Sequence, residues 1–373
     1  MGLFDFFNKK KKADELIKVY KIYHSLFKQV RIKFSILHGV SQVNFEKHDE
    51  YMKHFCYIIC MFFLFSCSNN PKWETIEAKG SCTARHECGF VEHKDALYLI
   101  GGRGYKAVDK FTLETNTWTT LNQPPIEMNH ITPVSVQGSI YIVSGLTGNY
   151  PKETPLTHVY KFDPESDTWE TVFEIPEDRR RGGAGVTVFN NKIYIVNGIF
   201  DGHTSGTSAL FDVYNPSTNQ WKVLPDAPTK RDHSSAAMLN NLLIALGGRN
   251  TSYHEPNNFQ AFFKTVINTI DYFNFETQKW YTFETKLPNP AGGGCVVVLD
   301  EELYFFGGET EQKEASKTMF SFNLKTKTWT QKPSLNTGRH GTNAVQLKNN
   351  IYIASGSGNQ GGGPELTSIE IYN

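Results

Sequence analysis

The strongest constraint on what this chain can fold into is the placement of its six tryptophans. Trp73, Trp118, Trp169, Trp221, Trp280 and Trp329 recur at intervals of 45, 51, 52, 59 and 49 residues. Each stands in a similar polar context, such as Asn116-Thr117-Trp118-Thr119 or Asp167-Thr168-Trp169-Glu170. Interleaved with them are six small-residue pairs, each after an apolar run: Gly101-Gly102, Ser144-Gly145, Asn197-Gly198, Gly247-Gly248, Gly307-Gly308 and Ser355-Gly356. Markers that return together every fifty residues or so indicate one supersecondary unit stacked on copies of itself.

Each unit reads as four strands. Ala236-Ala237-Met238-Leu239 is an opening strand, and apolar runs such as Leu97-Tyr98-Leu99-Ile100 or Ile193-Tyr194-Ile195-Val196 follow and end in the small pair. Val159-Tyr160-Lys161-Phe162 is a third strand, and the turn Asp163-Pro164-Glu165-Ser166-Asp167 leads into the tryptophan strand. No such sheet buries both faces alone, so the units must stack around an axis. The last unit has strands around Ala344-Leu347, Ile351-Ala354 and Ser368-Ile371 but ends before a tryptophan strand, whereas Trp73 has no strands before it. Pairing the two predicts a ring closed by the Trp73 strand, which removes the exposed sheet edges that a linear array would leave. The period, the small pairs and the tryptophan contexts resemble the kelch repeat. That resemblance implies an all-β, six-bladed kelch β-propeller over residues 73–373, one domain despite the length.

The formal net charge is zero, 38 Lys+Arg against 38 Asp+Glu, but it divides unevenly. Residues 1–67 carry eleven basic and six acidic side chains, so the rest carries a net charge of −5, a poor match for a phosphate backbone, and no nucleic-acid partner is expected. From Met52-Lys53-His54 the chain runs without charge from Phe55 to Ser66 and reaches Cys67. Twelve apolar residues span about 18 Å as a helix, too short for a ~30 Å hydrocarbon core. They suit a secretory signal, with a buried apolar strand as the alternative. Leu64-Phe65-Ser66-Cys67 resembles the lipobox of bacterial lipoproteins, which implies a signal at 52–67, lipidation of Cys67 and a tether at 68–72. Residues 1–51 are then a misassigned or non-structural extension. The alternative is a cytoplasmic basic segment before an uncleaved anchor. Three further cysteines, Cys82, Cys88 and Cys295, are an odd number for an exported chain, and a Cys82–Cys88 bridge is one open pairing.

In the resembling propellers, the loops into the first strand and those joining the second and third strands share one axial mouth. Arg85, Arg181, Arg231 and Arg339 lie 16 residues before their small pairs, and His86, His130, His233 and His340 lie 14 or 15 before theirs. Repetition would bring these side chains together as an anion-binding mouth, guanidinium groups being suited to carboxylate or sulfate; structural use within the repeat is the competing reading. Arg103, His203, Arg249, His254 and Glu309 add polar groups to the same loops, and Glu309 beside a histidine such as His340 is the carboxylate best placed for acid/base work. Four histidines from different blades could ligate a metal, but arginine neighbours argue against a cation, so neither metal nor cofactor is expected. The insertion from Asn250 to Thr265, with Phe259, Phe262 and Phe263, could stack on sugar rings or pack its own loop. Gly356-Ser357-Gly358-Asn359-Gln360-Gly361 matches a dinucleotide fingerprint in letters only, because a strand rather than a helix follows.

Arg339-His340-Gly341-Thr342, with the segment from Gly356 to Leu366, resembles bacterial exported galactose-oxidase-like kelch lipoproteins. The copper enzymes of that name have seven blades and an additional ligand-bearing domain, so none of their ligands is carried over. Six blades and an arginine-rich mouth are also similar to the sialic acid mutarotases. Together these imply a monomeric, lipid-anchored propeller in a bacterial cell envelope, binding a carbohydrate, an acidic sugar included, or a protein at its mouth. The alternative is an enzyme on an anionic sugar, a mutarotase, epimerase or lyase, with the four arginines holding the acid and His340 or Glu309 moving protons.

Overall fold

The computed structural model describes residues 71–253 and 258–373. The segment 1–51, the signal at 52–67 with Cys67, and His254 lie outside the described residues, as do the side chains of Phe259 and Phe262. Residues 71–373 form six four-stranded antiparallel sheets. Blades I to V are each contributed by consecutive sequence and begin with the strands Cys88–His93, Val134–Val136, Gly185–Phe189, Ser235–Leu239 and Cys295–Leu299. Blade VI is built from Ala344–Leu347, Asn350–Ala354 and Ile369–Tyr372, and its fourth strand is Trp73–Thr75, paired so that Trp73 faces Tyr372.

The repeated tryptophan has a physical cause in each blade. Trp118, Trp169, Trp221, Trp280 and Trp329 sit on fourth strands directly opposite Phe111, Phe162, Tyr214, Phe273 and Phe322 of the third strands, and Trp73 opposite Tyr372 makes the sixth such pair. Ring centroids lie between 4.8 Å for Trp169 and Phe162 and 6.2 Å for Trp221 and Tyr214. Facing aromatics on a pleated surface are among the stronger cross-strand pairs, so the pair pins the register of the outer hairpin.

The small pairs serve a different contact. In five blades both members take φ between +57° and +113°, a left-handed turn at the end of the second strand that small residues adopt at least cost. The second member then donates its N–H to the next blade: Gly102 to Met128, Gly145 to Arg181, Gly198 to Arg231, Gly248 to Ala291, Gly308 to Arg339 and Gly356 to Arg85, all at 2.8–3.0 Å. These six bonds run once round the molecule.

Six apolar clusters fill the six gaps between adjacent blades, so second strands such as Ala96–Gly101 are buried along their whole length. The six first strands contact one another in a closed ring, Ala344–Leu347 touching Cys88–His93. They enclose an axial cavity of about 290 Å³ lined by Val91, Val134, Val186, Ala236, Val296 and Val345, one from each blade, among other residues. Among the described residues, no helix is long and apolar enough to cross a membrane.

Candidate functional site

The four arginines expected at the mouth are turned into the blades instead. Arg85, Arg181, Arg231 and Arg339 are at most 2% exposed. Each pairs with a carboxylate on the third strand of its own blade: Arg85 with Asp109 at 2.6 Å, Arg181 with Asp212 at 2.9 Å, Arg231 with Asp271 at 2.6 Å, and Arg339 with Glu370. Most of the remaining guanidinium hydrogens go to backbone carbonyls or hydroxyls, for example Arg85 to Gly101 and Ala107, Arg181 to Asn197 and Ile195, and Arg339 to the Ser368 hydroxyl, while the Arg231 Nε–H is buried without a partner. Guanidinium donors consumed in this way cannot also grip a solvent ligand, which corrects the anion-site reading of these residues.

What faces the axis is the residue that begins each entry to the first strand. Glu87, His130, Gly183, His233, Gly293 and Gly341 occupy equivalent places in blades I to VI, all with φ between +49° and +63°. Glycine is the natural occupant of such a backbone, so the three exceptions are held there at a steric cost. They line one small cavity at the end of the axial channel, together with the three glycines.

Around them is a dense, buried polar network. Asn129 Nδ2 donates to Glu127, and Asn129 Oδ1 lies 2.5 Å from His130 Nδ1. His130 Nε2 faces Glu87 Oε2 at 3.3 Å without a hydrogen bond. Asp232 takes His233 Nδ1 at 2.7 Å and the hydroxyls of Thr207 and Thr251. Arg249 lies 3.2 Å from His233 Nε2 and pairs with Glu309. His340 Nε2 is 2.8 Å from the Asn359 carbonyl, 2.9 Å from that of Gly361 and 3.4 Å from Glu309 Oε2. His203 stands at the tip of a two-stranded hairpin, Ile199–Asp201 with Ser205–Thr207, that blade III inserts over the mouth. Its Nδ1 is 3.2 Å from Glu153, which Arg103 also reaches at 2.6 Å.

Burial alone would raise the Glu309 carboxyl, but the facing His340 and Arg249 outweigh it and bring it down to about 2. Burial likewise opposes ionisation of Glu153 and Asp232, and the bonded histidines and neighbouring arginines bring both to about 2. Burial first, then the adjacent His233 and His203, hold His130 well below the ordinary histidine value, so its ring is neutral.

The structure therefore gathers His130, His233, His340, Arg249, Glu309, Arg103 and His203 at the mouth, while His86 sits at its edge, 2.7 Å from Glu365. Glu309 and His340 are indeed neighbours, but both are buried and committed to fixed partners, the opposite of a carboxyl poised to exchange protons. In the insertion of blade IV, Phe263 is buried beneath Arg249, so that ring packs its own loop. Cys82, Cys88 and Cys295 are buried free thiols; burial pushes Cys88 to about 11 and the other two to about 12. Glu87, Glu127, Glu153 and Asp232 belong to the site and lack a repeating counterpart that would mark them in sequence.

A model of the Attractin/LZTR1 beta-propeller matches residues 59–268, just over half of the chain, and a Kelch motif matches 290–336. Kelch-like protein terF of Aspergillus terreus is 29% identical over 307 residues, covering 76% of this chain and 64% of that protein. Kelch-like protein 40 of Xenopus tropicalis is 30% identical over 206 residues, covering 53% of this chain and 32% of its own length. The chain thus spans from about a third to just under two thirds of these curated relatives. The solved structure of YjhT superposes with a TM-score of 0.65 over 79% of this chain and 99% of that one at 16% identity, a likeness of fold. With six closed sheets, the repeated aromatic pairs and these matches, the chain belongs to the kelch-repeat β-propellers, in the family described as the Attractin/LZTR1 beta-propeller.

Proposed function

We propose that the propeller is a binding module that engages a partner protein with its histidine-lined mouth. The observation that carries this reading is the exposure of two tyrosines on adjacent mouth loops, Tyr105 at 63% and Tyr150 at 49%, over a rigid charged floor. Arg103 lies 5.9 Å from the Tyr150 ring and is anchored from below by Glu153. Exposed tyrosine beside pre-positioned arginine is the composition of an interface hot spot, and kelch propellers are typically protein-interaction scaffolds. Turnover of an anionic sugar is less well supported, because Glu309 and His340 are sealed in the floor and the arginine quartet is inside the blades. A lipid on Cys67 would hold this mouth at the outer face of a membrane; the uncharged run Phe55–Ser66 before it supports that extension.

A photocrosslinking residue placed at 105 or 150 in the full chain is expected to trap a discrete protein partner in cells. The same residue at Val223, exposed on the outer strand of blade III, is expected to trap none. Binding to a glycan panel that Tyr150→Ala abolishes, without a protein crosslink, would turn the reading to carbohydrate. Labelled palmitate should enter the chain and be lost on Cys67→Ala.

A further inference from the structure

Three histidines that no repeat position explains as a set converge beneath the mouth. His130 and His233 come from the left-handed positions of blades II and IV, and His203 from the hairpin of blade III. Their ring centroids are 4.9, 4.9 and 5.1 Å apart, and one ring nitrogen of each lies within 4.8 Å of those of the other two. All three side chains are at least nine-tenths buried.

The surrounding hydrogen bonds fix which nitrogen each ring turns inward. Asn129 must direct Nδ2 to Glu127, which leaves its Oδ1 to accept from His130 Nδ1–H. Asp232 accepts from His233 Nδ1–H, and Glu153 stands in the same relation to His203. An imidazole whose Nδ1–H is donated to an amide or carboxylate oxygen carries its lone pair on Nε2, the arrangement that orients and strengthens metal-ligating histidines. At His130 the consequence is visible: the Nε2 lone pair, without a hydrogen bond, faces Glu87 Oε2 at 3.3 Å, two acceptors with nothing between them. A cation between them would turn that repulsion into two bonds.

The local charge agrees. Five carboxylates, from Glu87, Glu127, Glu153, Asp232 and Glu309, surround or second the cluster, against the two guanidinium groups of Arg103 and Arg249. The arginine quartet that argued against a cation is neutralised inside the blades. Arg249, 3.2 Å from His233 Nε2, would give up that contact to an ion and keep Glu309 and Thr251.

We propose that His130, His203 and His233 bind a divalent first-row transition ion of the zinc class through Nε2, with the Glu87 carboxylate as a further ligand. Three imidazoles and a carboxylate suit zinc, cobalt or nickel rather than calcium or magnesium, which prefer oxygen ligands.

The test is a cobalt titration of the chelator-stripped full chain. One equivalent of Co2+ is expected to give a saturable visible absorption that Zn2+ displaces, with a raised thermal midpoint in Zn2+. His130→Gly is a variant the backbone accepts, since glycine holds the equivalent place in three blades; it and His203→Ala should each weaken Co2+ binding at least tenfold. No visible band in the wild type, or wild-type affinity retained in either variant, would overturn the site.

Discussion

Arg231 shows how one residue can be located from sequence and still be misread. Its spacing before the small pair is plain in the sequence, but its orientation is decided by Asp271 on the third strand, 40 residues further on. The signal exists: Asp109, Asp212 and Asp271 each precede a tryptophan by nine residues. Each acid lies opposite the residue two before the small pair, and in blades II and V that register holds Tyr160 and Phe320. In those two blades the arginine position holds Met128 and Ala291, so arginine and acid occur together or not at all. Asp271→Asn, which strands a buried guanidinium, should cost about 3–5 kcal/mol in urea unfolding. Arg231→Met with Asp271→Tyr, the blade II solution, should cost less than Asp271→Asn; a loss equal to or above it would refute the pairing account. Glu309 gives a second prediction. Its carboxyl is depressed from an ordinary 4.5 to about 2, so its stabilisation is complete above pH 4.5 and is lost as pH falls towards 2. Glu309→Gln should therefore be less stable than the wild type at neutral pH, with the gap closing between pH 4.5 and 2 in acid-unfolding curves; a constant gap would argue against ionisation as the cause.

At the level of the element, the outer hairpin of blades I to V is the most legible feature, because its tryptophan and the aromatic seven residues earlier are both local. The inserted hairpin carrying His203 was the least legible. A comparable two-stranded sheet, Leu146–Thr147 with Thr154–Pro155, occurs in the same loop of blade II but carries no histidine, so no alignment of the chain with itself brings His203 beside His130 and His233, and only folding does. The aromatic pairs differ in burial, and that difference is testable. Trp73 is 5% exposed, against both Tyr372 at 5.4 Å and Phe306 of the neighbouring blade at 5.3 Å, whereas Trp169, likewise on a fourth strand, is only partly buried. Trp73→Ala should cost about 3–5 kcal/mol and Trp169→Ala clearly less, read from denaturant midpoints at an unchanged m-value.

Over the whole molecule, the ring makes the two ends of the propeller one element. Lys72 N–H reaches the Asn373 carbonyl at 3.1 Å, and Trp73–Thr75 covers the edge of Ile369–Tyr372. A chain lacking Pro71–Thr75 would present that edge to solvent, and exposed edges pair with one another. Sedimentation should show self-association of the truncated chain together with a lowered melting midpoint; an unaltered monomer would contradict it. The same ring has six equivalent seats around its axis, of which Glu87, His130 and His233 fill three. The vacant seats are not interchangeable. A side chain at Gly341 would begin 2.8 Å from the Glu87 amide nitrogen, whereas at Gly293 the nearest atom is 3.5 Å away. New chemistry can therefore enter this scaffold at Gly293, where asparagine tolerates the left-handed backbone, with the blades themselves left untouched.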